Sequence, residues 1–267
     1  MVNNHLHYRE WTAFQPVIVI GYLLIISIYI FAAVKSNQRL RHWPLHRSVF
    51  WILGVSCVFF VVGPLAPHAH IDFTVHMIGH LLLGMLAPLF IVLSAPMTLL
   101  LRTLSVQKAR FLSKLLQTRL SRFLVDPAVS ALLNFGGLWI LYTTSLYLAM
   151  QQNMLIHVVI HFHVFVAGFL FTTSMISIDS FVYKTSFLYR AIVLVIALGS
   201  HSILSKYIYA YPLTGVSVYE SEIGGKLMFY GGDVVDIILI YLFCLQWYNA
   251  TSPKLPIASV NKVVTEY

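Results

Sequence analysis

The sequence predicts an all-α membrane protein of seven transmembrane helices, with the N-terminus outside and the C-terminus cytoplasmic. Three observations carry that expectation. The chain of 267 residues is 59% hydrophobic and only 10% charged, with a mean hydropathy of +0.81, whereas soluble domains carry about a quarter charged residues. Apolar runs of about 17–25 residues, the length that crosses a bilayer, recur along it. The basic residues crowd onto alternate connections, as they do when a polytopic chain orients itself.

The first apolar run covers about 16–34 and the second about 49–65. The third, about 74–93, continues apolar to Leu101 but carries Pro88 and Pro96. Pro88 predicts a kink, and Ala95–Pro96 the end of the span or a shallow re-entry. The basic stretch 102–122 reads as a cytoplasmic amphipathic connector against anionic lipid. The remaining spans fall at about 128–150, 153–176, 187–204 and 227–248. Residues 1–267 thus form a single polytopic membrane domain, since no polar stretch exceeds about 25 residues, too short to bury its own core.

With seven spans, one side receives Lys35, Arg39, Arg41, Arg47, Arg102, Lys108, Arg110, Lys114, Arg119, Arg122, Lys184, Arg190, Lys254 and Lys262, 14 of the 17 Lys and Arg; the other keeps only Arg9, Lys206 and Lys226. The excess marks the cytoplasmic side. The net charge of +8 is therefore a topology signal, and no nucleic-acid partner is expected. Cys57 and Cys244 lie apart in apolar segments, without the CxxC spacing of a thiolate site or redox dithiol. A cleaved signal peptide is not expected: the first apolar run is too long and MVNNHLHYREW lacks a basic n-region.

The histidines carry the chemistry. His76 and His80 sit four apart in TVHMIGHLLLG, and His157 and His161 four apart in LIHVVIHFHVF. Each pair projects from one helix face, and ionisable groups inside spans need a partner or a function. His201 lies near the outer end of the sixth span, and Asp233 and Asp236 lie early in the seventh. These spans bring metal-capable side chains to one depth, so His76, His80, His157 and His161 are predicted metal ligands. His201, Asp233 and Asp236 are expected as further ligands or as partners that fix imidazole tautomers. His163 points about 200° away from His161. In the outer segments, His68 and His70, with His5 and His7, are candidates for an intake relay; His42 and His46 belong to the basic cytoplasmic loop. Imidazoles with carboxylate suit copper, zinc or iron; Met77, Met85, Met150, Met154 and Met228 on the outer side lean toward copper(I).

The run HMIGHLLLGMLAPLFIVLSAPMTLLLR, His76 to Arg102, resembles the signature of the multi-span CtaG family, assembly factors of caa3-type cytochrome c oxidase. The His-x3-His helix followed by Gly168 and Phe171 is similar too, as is Gly225-x-x-Met228 leading to Gly232-Asp233. Glu222-Ile223-Gly224-Gly225 departs from the Gln-rich pattern of that family. The resemblance covers about residues 14–248. It implies a bacterial plasma-membrane protein whose partners are cytochrome c oxidase subunits, acting at the stage of the oxidase's copper centres. Two rival readings are a membrane metalloenzyme with a mono- or dinuclear site and a redox protein with bis-His b-type haem. A transporter is weaker, since no inverted repeat is visible.

Overall fold

The computed structural model describes residues 2–69, 71–179 and 185–253, with side chains described from residue 15 onward except at position 39. His70, Lys184, Lys254 and Lys262 lie outside the described residues, as do the side chains of His5, His7, Arg9 and Arg39. Every regular element among the described residues is helical. In chain order these are α1 (Val2–Arg39), α2 (Leu45–Val62) and α3 (Ala66–Ala69), then α4 (Phe73–Leu93). Three short helices follow, α5 (Pro96–Thr103), α6 (Val106–Leu116) and α7 (Arg119–Leu124). The last five are α8 (Pro127–Thr143), α9 (Leu146–Gln152), α10 (Met154–Met175), α11 (Phe187–Ala210) and α12 (Val218–Thr251).

Six of these helices are long and apolar enough to cross a membrane, and the bent pair α8–α9 makes a seventh if it counts as one span. The expected continuous span at about 128–150 is thereby corrected: the helix stops at Thr143 and α9 leaves at 80°. The cause is local. The hydroxyls of Thr143 and Thr144 donate back to the Trp139 and Ile140 carbonyls, each at 2.6 Å, and Thr144 adopts an extended backbone that a β-branched residue favours over a further helical turn.

The third span also differs in detail. Pro88 produces no sharp break; the turn before it widens over Leu81–Leu86 into a π-helical register, in which the Ala87 N–H reaches back to Leu82. Proline has no N–H to return to this turn, and the Gly84 carbonyl oxygen projects toward α10, where a Cβ on Gly168 would lie 2.1 Å from it. Glycine at 168 is what lets the two helices meet backbone to backbone. α4 is the central helix: 61% of its apolar window is buried, against 11–33% for the other single-helix spans. Apolar side chains along the outer faces stay exposed, such as Leu23 and Phe31 of α1 and Val195 and Ile196 of α11, as a lipid-facing surface requires.

Ala95–Pro96 ends the span, with Ala95 left-handed at φ 50°. Asp179, in the segment after α10, seats the start of α5: its Oδ1 accepts the Thr98 N–H at 2.9 Å and the Thr98 hydroxyl at 2.5 Å. Burial pushes the Asp179 carboxyl above its ordinary range. At the same end the Tyr29 hydroxyl donates to Ser94 O at 2.7 Å and accepts from Trp43 Nε1 at 3.2 Å, tying α1 to the C-terminal end of α4.

Candidate functional site

The two histidine helices begin alike. Asp72 Oδ1 caps α4 by accepting the N–H of Thr74 and Val75 at 2.7 and 3.3 Å. Asn153 Oδ1 caps α10 by accepting those of Leu155 and Ile156 at 2.9 and 3.3 Å. In each helix the first histidine stands four residues past the cap, its N–H bonded to the cap carbonyl: His76 to Asp72 at 3.1 Å, His157 to Asn153 at 3.0 Å. The second stands four further on. The shared register Asx-x3-His-x3-His puts the pairs about 6 and 12 Å below their caps, and the close approach of Gly84 to Gly168 holds the helices side by side.

The side chains meet in pairs. The His76 and His161 rings lie 5.9 Å apart, edge to face, and His157 stacks on His161 at 4.1 Å. His161 Nδ1 donates to the His157 carbonyl at 2.9 Å, so its lone pair is on Nε2. His80 turns toward α11, where the His201 ring lies 6.3 Å away; it is also an electrostatic neighbour of His161. Nε2 of His80 and Nε2 of His201 are both buried without a hydrogen-bond partner among the described residues. Buried polar atoms are nearly always paired, with protein or with ordered water, and the two rings lie tilted at 34° to one another.

Two imidazoles that share an ion at about 2.0–2.1 Å put their ring centroids roughly 5–6 Å apart, close to the separations in the His76–His161 and His80–His201 pairs. No three or more His, Cys, Asp or Glu side chains form a ready metal cage among the described residues.

The other sequence candidates fall around these pairs. Asp236 is buried one turn past Gly232, on a cavity of about 20 Å³ shared with Asn134, Gly84 and Phe135; Asp233 is partly exposed. His68 is exposed on α3, its Nδ1 donating to Pro64 O at 3.3 Å. His163 faces away, as its angle predicts, with Nε2 donating to Leu133 O at 3.1 Å beside a second widened turn in α8. A cavity of about 240 Å³ between α2, α4 and α10 opens onto His157 and His161, walled by Val58, Val61, Leu83 and Phe162.

Sequence reasoning missed the aromatic walls. The Tyr142 hydroxyl lies 3.1 Å from His76 Nε2, and the Tyr147 and Phe73 rings are 5.2 and 6.0 Å from the His76 ring. Phe135 covers His201 at 5.9 Å, and Gly232 lies against the same imidazole, where a Cβ would sit 2.5 Å from Cε1. The paired threonines that break the fourth span were the available signal, because that break turns Tyr147 back over the site.

Fold and site together define a class: a multi-pass helical membrane protein with buried histidine pairs gathered at one end of its bundle. The family model described as cytochrome c oxidase caa3 assembly factor (Caa3_CtaG) matches residues 27–250, and the chain belongs to that family. It is similar to an uncharacterized protein of Mycobacterium bovis, 31% identical over 157 residues, which cover 56% of this chain and 23% of the relative. An uncharacterized protein of Mycobacterium leprae is 25% identical over 241 residues, 82% of this chain and 37% of the relative. The chain thus spans less than two-fifths of the length of these curated relatives. No solved structure matches it.

Proposed function

We propose that the protein is an assembly factor for haem–copper cytochrome c oxidase in a bacterial plasma membrane, holding copper as cargo at its histidine pairs and passing it to an oxidase subunit. The observation that carries the reading is the pairing of His80 with His201, whose buried Nε2 atoms have no hydrogen-bond partner among the described residues, next to His76, His157 and His161. Membership of the oxidase-assembly family supplies the client. Copper(I) is soft and accepts few ligands, so it suits imidazole pairs flanked by thioether; Met77 is fully buried beside His76. A carrier needs a site that releases as well as binds, and pairwise donors exchange with an incoming ligand more readily than a closed cage. The cavity onto His157 and His161 gives that ligand a lateral approach. Asp236, buried one helical turn past the Gly232 that packs on His201, would balance the charge of the bound ion.

The test is copper(I) affinity and metal content of purified wild type against His80→Ala/His201→Ala and His76→Ala/His161→Ala, read by competition with a chromophoric chelator and by elemental analysis. Each double variant is expected to lose at least about 10- to 100-fold in affinity while keeping its helical circular dichroism. Copper, zinc and iron contents that do not change between wild type and variants sink the ligand assignment.

A further inference from the structure

α11 and α12 form an antiparallel hairpin, and they cross so tightly that a Cβ on Gly225 would lie 2.9 Å from both Ser205 O and Tyr209. Beside this crossing runs a groove of about 320 Å³ that holds Lys206, Tyr209, Lys226, Phe229 and Tyr230. Each lysine reaches across to the other helix. Lys206 Nζ of α11 sits 5.2 Å over the Phe229 ring of α12, and Lys226 Nζ of α12 sits 5.3 Å over the Tyr209 ring of α11. The reciprocal contacts hold both ammonium groups in one groove. Neither lysine makes an ion pair among the described residues, although Glu222 stands one turn before Lys226.

Two like charges placed together repel, and this end of the bundle is otherwise poor in cations. By the seven-span reading of the sequence, Lys206 and Lys226 are with Arg9 the few Lys and Arg of this side, and both line the one groove. The groove sits at the membrane boundary: Lys226 directly precedes the apolar part of α12, Lys206 lies one turn from the end of α11, and tyrosines mark the headgroup level. Exposed Ile203, Val234 and Ile237 continue from it along the lipid-facing side. We infer that this groove binds the phosphate of an anionic phospholipid, with Lys206 and Lys226 as the two cationic donors and the acyl chains laid along α11 and α12. The apolar continuation favours a lipid over an acidic protein segment, which would leave Ile203 and Val234 uncovered.

The experiment uses the full chain in mild detergent, with native mass spectrometry and thermal unfolding in the presence of phosphatidylglycerol, phosphatidylcholine or inorganic phosphate. Wild type is expected to retain phosphatidylglycerol in preference to phosphatidylcholine and to unfold at a higher temperature with it. Lys206→Gln/Lys226→Gln is expected to lose about tenfold or more of that retention, and Lys206→Arg/Lys226→Arg to keep it. The single Gln variants give intermediate retention and maintain the comparison should the double variant misfold. Equal retention by the Gln variants overturns the inference. So does displacement by millimolar inorganic phosphate, which makes the groove a free-anion site, or equal binding of phosphatidylcholine.

Discussion

At the residue scale the site is defined by which imidazole nitrogens are already engaged. His161 spends Nδ1 on the His157 carbonyl, and His76 Nε2 is met by the Tyr142 hydroxyl. If His76 takes an ion through Nε2, the phenol contact must break first. A hydrogen bond of this kind contributes about 0.5–1.5 kcal/mol, so Tyr142→Phe is expected to tighten copper(I) binding about 2- to 10-fold and to lower thermal stability slightly. Looser binding in that variant makes the phenol a helper of the site rather than its competitor. Gly232 acts on His201 by space alone. Since a Cβ there meets the imidazole at 2.5 Å, Gly232→Ala is expected to displace the ring and reduce copper affinity with little change in helical content. An unchanged affinity excludes His201 from the site.

At the element scale the decisive contact is the meeting of Gly84 with Gly168. The obstacle to a methyl group at 168 is a backbone carbonyl at 2.1 Å, which cannot turn aside as a side chain can. Gly168→Ala therefore forces α4 and α10 apart, at a cost of about 1–3 kcal/mol or more, and draws His76 away from His161. Gly199 of α11 has nothing within 4 Å, so Gly199→Ala is the control, expected to be neutral or stabilising by up to about 1 kcal/mol. Similar unfolding midpoints for the two variants remove the packing argument. How legible these elements were in sequence follows from the same physics. The spans and histidine pairs were readable because hydropathy and i, i+4 spacing are local properties. The equal depth of the pairs was expected from where each enters its apolar run, and the caps Asp72 and Asn153, each four residues before its first histidine, are what fix it. The partner of His80 was not. Spacing within a helix fixes a face, but which neighbour fills that face depends on how α4 is rotated, and the widened turn at Leu81–Leu86 sets that rotation through Pro88 and a contact 84 residues away. The break in the fourth span was encoded in two threonines whose hydroxyls bond inward, a signal that hydropathy averages away.

At the scale of the whole molecule the question is whether α8–α9 crosses the membrane. α4 and α10 run parallel, since His76 lies by His161 near their starts and Gly84 by Gly168 further along. After α4 the chain is at one end of the bundle, and it must be back at the other before α10 begins. α8 makes that return. Ser130, near its start, shares a hydrogen bond at 2.9 Å with Ser174 at the far end of α10, and Tyr142, near its finish, meets His76 at the beginning of α4. Its residues 127–143 span about 25 Å at 1.5 Å each, short but sufficient for a hydrocarbon core once α9 turns aside beneath the headgroups. Counted as one span, α8–α9 brings the crossings to seven, and the bias of 14 of 17 Lys and Arg then predicts an N-terminus outside and a C-terminus inside. In a background of Cys57→Ala and Cys244→Ala, Gln152→Cys is expected to react with an impermeant maleimide on intact cells, whereas Ser105→Cys is expected to react only after permeabilisation. Labelling of both from the same side makes α8–α9 re-entrant and separates the ends of α4 and α10 that the histidine pairs require to be together. Labelling of Ser105→Cys alone on intact cells keeps the seven crossings but inverts them, turning the histidines toward the cytoplasm and removing the outward-facing copper route.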